Sequence, residues 1–155
     1  MENYSYSRKL INPLVLFLLF STNSCNTNTE DIKSNVLNLA EEWLSSWNGN
    51  VDPEKMMSTY HHDMKYVWRG VSPLGTYESS RKASESMPSL GTNYQLTMSN
   101  IDITVIDQNN AIVFFHFDDK NGSPYGKGAA SLVMTKRDNE WKIIYVHEST
   151  IENHG

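Results

Sequence analysis

The sequence lacks the features that would favour disulfide bonding or nucleic-acid binding. Cys25 is the only cysteine among 155 residues, so no disulfide can form within the chain. Basic residues are outnumbered, because 13 Lys and Arg stand against 18 Asp and Glu and the net charge is −5. No cluster of Lys and Arg forms a basic stripe, which excludes nucleic acid as a partner.

A long hydrophobic run is also missing. The most apolar segment, residues 10–20, is shorter than the roughly 20 residues that a spanning helix needs. Arg8 and Lys9 precede it, and small and polar residues lead from it to Cys25. This order resembles a bacterial lipoprotein signal, in which cleavage leaves a lipid-modified cysteine at the mature N-terminus. The alternatives are an ordinary signal peptide followed by an unrelated cysteine, or an uncleaved membrane anchor.

The lipoprotein interpretation divides the chain into three parts. Residues 1–24 are predicted to be a signal peptide, residues 25–30 a lipid-attachment cysteine and tether, and residues 31–155 one folded domain. A lipid on Cys25 would hold that domain at a membrane surface without spanning it. We therefore expect an exported protein of the cell envelope whose only contact with the membrane is the lipid anchor.

The first half of the domain has helical patterns. Residues 27–30 match a capping box, and apolar residues follow at helical spacing from Ile32 to Trp47. Asp52 and Pro53 are typical of the N-cap and the first position of a second helix, which is predicted to end at residues 60–63. A third short helix is predicted to end near Met87, before Pro88.

Strand patterns begin between the second and third helices and continue through the second half of the domain. Residues 64–69 alternate as a half-buried strand does, and four further strands are predicted over residues 94–106, 111–119, 125–137 and 140–150. The longest of these is expected to bend near Ser99 and Asn100. Helices followed by a meander indicate an α+β fold with antiparallel pairing.

Two groups of residues resemble the NTF2-like superfamily, especially its SnoaL-like and DUF4440-type domains. One group is the Tyr-His-His-Asp segment at 60–63 with the strand leading to Gly70 and Gly75. The other is the ending, with Trp-Lys-Ile at 141–143 and His147 two residues before Ser149. This ending is also similar to the association domain of calmodulin-dependent kinases.

The resemblance implies a cone-shaped, curved antiparallel sheet wrapped around N-terminal helices. It also implies a cavity at the wide end and a homodimer formed through the outer face of the sheet. An aromatic-lined cavity of this kind suits a small apolar molecule. The residues predicted to line it are Trp43, Tyr60, Tyr66, Trp68, Phe114, His116, Tyr145 and His147.

The same resemblance includes enzymes, so catalysis is weighed against simple binding. The positions that match the catalytic groups of the steroid isomerases hold Trp43, Trp68 and Val133, none of which can supply that chemistry. His116 and His147 are the candidates for general acid and base in a cofactor-independent lyase or isomerase. We favour a binding or assembly module over an enzyme, and a third possibility is a cavity filled by the protein's own aromatic side chains.

No cofactor and no metal are predicted. His61 and His62 are neighbours at what is predicted to be a helix end, where adjacent side chains diverge. In the last strand, strict alternation would place His147 and Glu148 on opposite faces, so only one of them could meet His116.

Overall fold

The structure, a computed structural model, describes residues 23–49, 51–68, 74–86, 95–119 and 127–150. Most of the predicted signal peptide and the connection between the strands predicted over residues 111–119 and 125–137 lie outside these residues. Among the helices of the described ranges, none has the length and apolarity that crossing a bilayer requires.

The first helix is longer than its sequence pattern predicts. Helix α1 runs over Asn23–Ser45, so residues 25–30, predicted to be a tether, are helical. Its periodic apolar side chains are buried as predicted, and they are Ile32, Val36, Leu39, Ala40, Trp43 and Leu44. This stripe is what attaches the helix to the sheet, since burial of one apolar face supplies most of the stability of a helix.

The second helix, α2, covers Pro53–Ser58 and starts as predicted. The Asp52 side chain accepts a 3.0 Å hydrogen bond from the Lys55 backbone N–H, which is the N-cap interaction expected there. The predicted end is wrong, because the chain leaves the helix at Thr59 and begins strand β1, Tyr60–Trp68, at once. The Thr59 carbonyl accepts a 2.9 Å bond from Ile143 N, so pairing with the last strand takes over where the helix stops.

Six strands form one sheet in the order β2-β1-β6-β5-β4-β3. The remaining elements are β2 (Gly75–Thr76), α3 (Tyr77–Ser86), β3 (Leu96–Val105), β4 (Asn110–Asp119), β5 (Gly128–Arg137) and β6 (Glu140–Thr150). All neighbours pair antiparallel except β1 and β6, which run parallel. The α+β prediction is confirmed, and the one parallel pair joins the first strand, β1, to the last strand of the meander, β6.

The meander contains the predicted irregularities. The register of β3 against β4 shifts between Ser99 and Asp102, and Asn100 has a φ of 50° there, so the predicted bend is confirmed. Asp138 and Asn139 have φ values of 51° and 66° in the two-residue turn between β5 and β6. Two positive φ values are what a tight type I′ hairpin requires.

The sheet has an inner face, which α1 covers, and an outer face. The inner face is fully buried at Val113, Phe115, Leu132, Met134, Ile143 and Val146. Phe115 touches Trp43 of α1 edge to face, with ring centroids 6.2 Å apart. Helices α2 and α3 lie against α1, β1 and β2 rather than over the centre of the sheet. The core is therefore the space between α1 and the inner face.

Candidate functional site

A partly buried carboxylate and a tyrosine hydroxyl meet on the inner face, where β1 and β6 run side by side. The Tyr66 hydroxyl donates a hydrogen bond to Glu148 Oε2. The parallel pairing causes this meeting, because it sets Tyr66 beside Val146 and Trp68 beside Glu148. Trp68 is half exposed, at 50%, and marks the more open end of this group.

A second polar contact lies deeper in the same interior. Trp43 Nε1 donates a 2.6 Å hydrogen bond to the Tyr60 hydroxyl, and both residues are buried. Trp47 packs against Trp43 with ring centroids 6.1 Å apart. Its own Nε1 is buried and has no hydrogen-bond partner among the described residues. A buried N–H donor of this kind is available to an acceptor on a ligand or to a water molecule.

Burial, assisted by the neighbouring Glu148 carboxyl group, keeps both tyrosines protonated. Burial is the main cause that raises the pKa of Tyr66, and the Glu148 charge and hydrogen bond raise it further. Burial also raises the pKa of Tyr60 above its usual value, with Glu148 adding to the rise and the Trp43 hydrogen bond opposing it. At neutral pH the interior therefore holds one carboxyl group beside two neutral hydroxyls. Such a group can orient a polar ligand atom or exchange a proton with it.

The eight residues predicted to line the cavity divide equally between the two sides of the sheet. Trp43, Tyr60, Tyr66 and Trp68 lie on the inner side. The other four, Phe114, His116, Tyr145 and His147, alternate with the buried inner residues of β4 and β6 and so lie on the outer face. The prediction that all eight surround one cavity is wrong for these four.

A β-bulge in β6 explains the misplacement on that strand. Ile143 pairs with Met134 but Tyr145 pairs with the adjacent Val133, so Ile144 is an extra residue. One extra residue reverses the side of everything that follows it. Tyr145 and His147 are thereby turned outward, while Glu148 is turned inward.

The two candidate acid–base histidines do not share a site. His116 Nδ1 lies 3.0 Å from Asn100 Nδ2, at hydrogen-bond distance on the outer face. His147 is exposed and pairs with Ser131 on β5, whereas His116 pairs with Ala129. They are thus two strands apart, about 10 Å at the usual strand spacing. A proton cannot pass directly between them.

Glu148 is the member of the inner polar group that the sequence did not predict. Its pattern offered one signal, a carboxylate within an otherwise apolar strand, but strict alternation assigned it to the face of Ile144 rather than that of Ile143. The position of the bulge decides which face Glu148 occupies, and no local sequence motif marks that position.

A group of possible metal ligands lies at the start of β1. One donor atom from each of His61, His62 and Asp63 falls within 4.8 Å of the others. The two imidazole rings, expected to diverge, have centroids 4.1 Å apart. The reason is that β1 is irregular between Tyr60 and Lys65, so adjacent side chains do not alternate strictly there.

The fold and the interior define the class of protein. A curved six-stranded sheet backed by a helix, with polar groups inside the cone, is an NTF2-like fold. An NTF2-like protein of Cytophaga hutchinsonii has the same fold, with a TM-score of 0.64 and 18% identity over 77% of this chain and 98% of that chain. Within this class, the chain belongs to the calcium/calmodulin dependent protein kinase II association domain family, whose model matches residues 32–152. Among curated proteins, none matches the sequence.

Solved structures of different description share the fold. A candidate scytalone dehydratase from Novosphingobium aromaticivorans superposes at a TM-score of 0.70 with 14% identity, covering 84% of this chain and 93% of that chain. A candidate ketosteroid isomerase from Parabacteroides distasonis gives a TM-score of 0.62 with 23% identity, covering 77% and 88%. These identities establish the fold alone, since this architecture serves many functions.

Proposed function

We propose that this protein is a homodimeric association module whose cone binds a small, largely apolar molecule. The observation that carries the association part is the composition of the outer face. Ile112, Val133 and Tyr145 lie side by side in one row across β4, β5 and β6, and Phe114 lies in the next row. We call these four residues the outer patch.

The outer patch has the properties of a contact surface. All four side chains are only partly buried in the single chain, although they stand at the centre of the sheet. A contiguous apolar patch on a soluble protein is usually an interaction site, because its exposure is unfavourable. Two copies packed patch to patch would form a self-complementary interface. The name of the family, an association domain, agrees with this proposal.

The association proposal is tested by native mass spectrometry of the full chain, purified from its host in mild detergent. The expected mass is that of a dimer. Phe114→Asp should convert it to monomer, because a charge would be buried in the interface. Ile106→Asp is the matched control, since Ile106 is 57% exposed outside the outer patch. A monomeric unsubstituted chain, or equal dissociation of both variants, would contradict the proposal.

The ligand part of the proposal rests on the inner polar group. Tyr66 and Glu148 form one polar pair, and the unpartnered Trp47 Nε1 is a second point of attachment within aromatic walls. A few polar groups in an apolar setting are typical of sites that orient small molecules. Native mass spectra of the same sample should therefore show a retained small molecule. In titrations with Nile red, Tyr66→Phe should weaken dye binding, whereas the outer-face control His147→Ala should not. Equal affinity in both variants would contradict the ligand proposal.

A second candidate function is a cofactor-independent lyase or isomerase. The observation that favours it is the same Tyr66–Glu148 pair, which offers a carboxylate as base and a neutral hydroxyl as acid. The candidates from the sequence, His116 and His147, lie on the outer face and are not part of this chemistry. Incorporation of deuterium from D₂O solvent into the retained small molecule would distinguish catalysis from binding. This exchange should be lost in Glu148→Gln.

We also propose that the protein is exported and attached to the envelope through a lipid on Cys25. The support is the order of basic, apolar and small residues before the single cysteine. Cys25→Ser should move the protein from the membrane fraction to the soluble fraction. Continued membrane association of this variant would contradict lipidation.

A further inference from the structure

The start of β1 brings three metal-binding side chains to one point at the surface. His61 Nδ1 lies 3.6 Å from Asp63 Oδ2, and His62 Nε2 lies 3.4 Å from the same oxygen. All three donor atoms are within 4.8 Å of one another. Consecutive residues on a regular strand would point to opposite faces, so this convergence depends on the irregularity of β1 between Tyr60 and Lys65.

The spacing of the donor atoms matches tetrahedral coordination. A zinc ion with bonds of about 2.0–2.2 Å to nitrogen and oxygen holds its ligand atoms about 3.3–3.6 Å apart at the corners of a tetrahedron. Two of the three separations, 3.6 and 3.4 Å, already lie in this range. The His62 and Asp63 side chains are 75% and 69% exposed, so both can rotate to close the third.

His61 is the fixed member of the group. Its side chain is only 11% exposed. The Asp63 backbone N–H donates a 3.2 Å hydrogen bond to Nδ1, so the ring proton is on Nε2, and a metal ion bound at Nδ1 would replace this hydrogen bond.

The surroundings leave the site open on one side. His61 and His62 line a cleft of about 370 Å³ together with Arg137, Asp138, Glu140 and Lys142, among others. Lys142 is engaged by Glu140 at 3.1 Å and by the Ser58 carbonyl at 2.9 Å. The positive and negative side chains of the cleft are equal in number, so the Asp63 carboxylate supplies the excess negative charge that a cation needs.

We propose that His61 Nδ1, His62 Nε2 and Asp63 Oδ2 bind one divalent transition-metal ion of the zinc type, with its remaining coordination position open to the cleft. Two imidazoles and one carboxylate suit zinc and its first-row neighbours. The same set is poor for magnesium or calcium, which prefer oxygen ligands alone. The site lies on the surface at the beginning of β1 and is separate from the Tyr66–Glu148 group.

The test uses the full chain in mild detergent, with an affinity tag that contains no histidine and after removal of metal by a chelator. Titration with zinc against a competing dye should give one ion per chain. His62→Ala and Asp63→Asn should each weaken binding at least about tenfold. Both positions are exposed, so neither variant is expected to disturb folding. Titration with cobalt should give the visible absorption of a tetrahedral ion.

His147→Ala is the matched control, because it removes one exposed histidine from the outer face and leaves the zinc affinity unchanged. The proposal is overturned by any of three results. These are an unsubstituted chain with a Kd weaker than about 100 µM, an equal loss of affinity in His147→Ala, or no loss in Asp63→Asn.

Discussion

The inner and outer faces of the sheet are built from the same strands but differ in how far their side chains are buried. On the inner face, side chains such as Phe115, Leu132 and Val146 have no exposed surface, because α1 covers them. On the outer face, Phe114 and Tyr145 occupy alternate positions and are only partly buried. Neighbours in the chain thus differ in environment although they are alike in residue type.

This difference shows what each face contributes. The inner face supplies the stability of the single chain and holds the partly buried polar pair of Tyr66 and Glu148. The outer face adds apolar surface that stays partly exposed in the single chain. Exposing the second apolar side to water costs free energy, so strands that are apolar on both sides are favourable only when both sides are covered.

The largest expected contrast is between two adjacent phenylalanines. Phe115→Ala should lower the free energy of unfolding by about 3–5 kcal/mol, because it empties a fully buried position against Trp43. Phe114→Ala should cost about 1 kcal/mol in the monomer, since its ring is on the partly exposed outer face. Urea denaturation at low protein concentration measures both. Equal losses would show that the two faces are not distinct.

Much of this arrangement follows from the sequence. The buried stripe of α1, the N-cap at Asp52 and the bend of β3 are each specified by residues close together in the chain. Local patterns suffice there because the physical causes, helical periodicity and capping, are local.

The assignment of residues to the two faces could not be predicted in the same way. Phe114, Phe115 and His116 lie in a strand that is apolar on both sides, so alternation separates them without saying which is inside. In β6, one extra residue at Ile144 exchanges the sides of His147 and Glu148. Its position depends on pairing with β5, which is a contact between strands and not a property of one segment.

An intermediate effect is expected from the inner tyrosines at high pH. The pKa of Tyr66 and that of Tyr60 are raised above 10.0 in the folded protein, chiefly by burial. Below that pH both states keep the proton, so the contribution of the neutral hydroxyls is fully present. Above it, the unfolded chain releases protons that the folded chain retains, and stability falls as pH rises.

The slope of this decline identifies its source. Each retained proton should lower the free energy of unfolding by about 1.4 kcal/mol per pH unit above pH 10. Tyr66→Phe should remove one such contribution, and the double variant with Tyr60→Phe should remove two. Urea denaturation between pH 9 and about 11 measures the slopes. A slope that both variants leave unchanged would show that the inner hydroxyls are not the groups that titrate.

The smallest effect is expected at His147, on the other side of β6 from Glu148. Its side chain is exposed and its strand neighbour is Ser131, so His147→Ala should change the free energy of unfolding by no more than about 0.5 kcal/mol. The substitution should also leave Nile red binding unchanged, because the His147 side chain lies on the outer face, away from the cone. Urea denaturation and dye titration check the two statements. A loss of stability above about 1 kcal/mol, or a weakened dye affinity, would indicate that His147 lies in the interior and would contradict the distinction between the two faces.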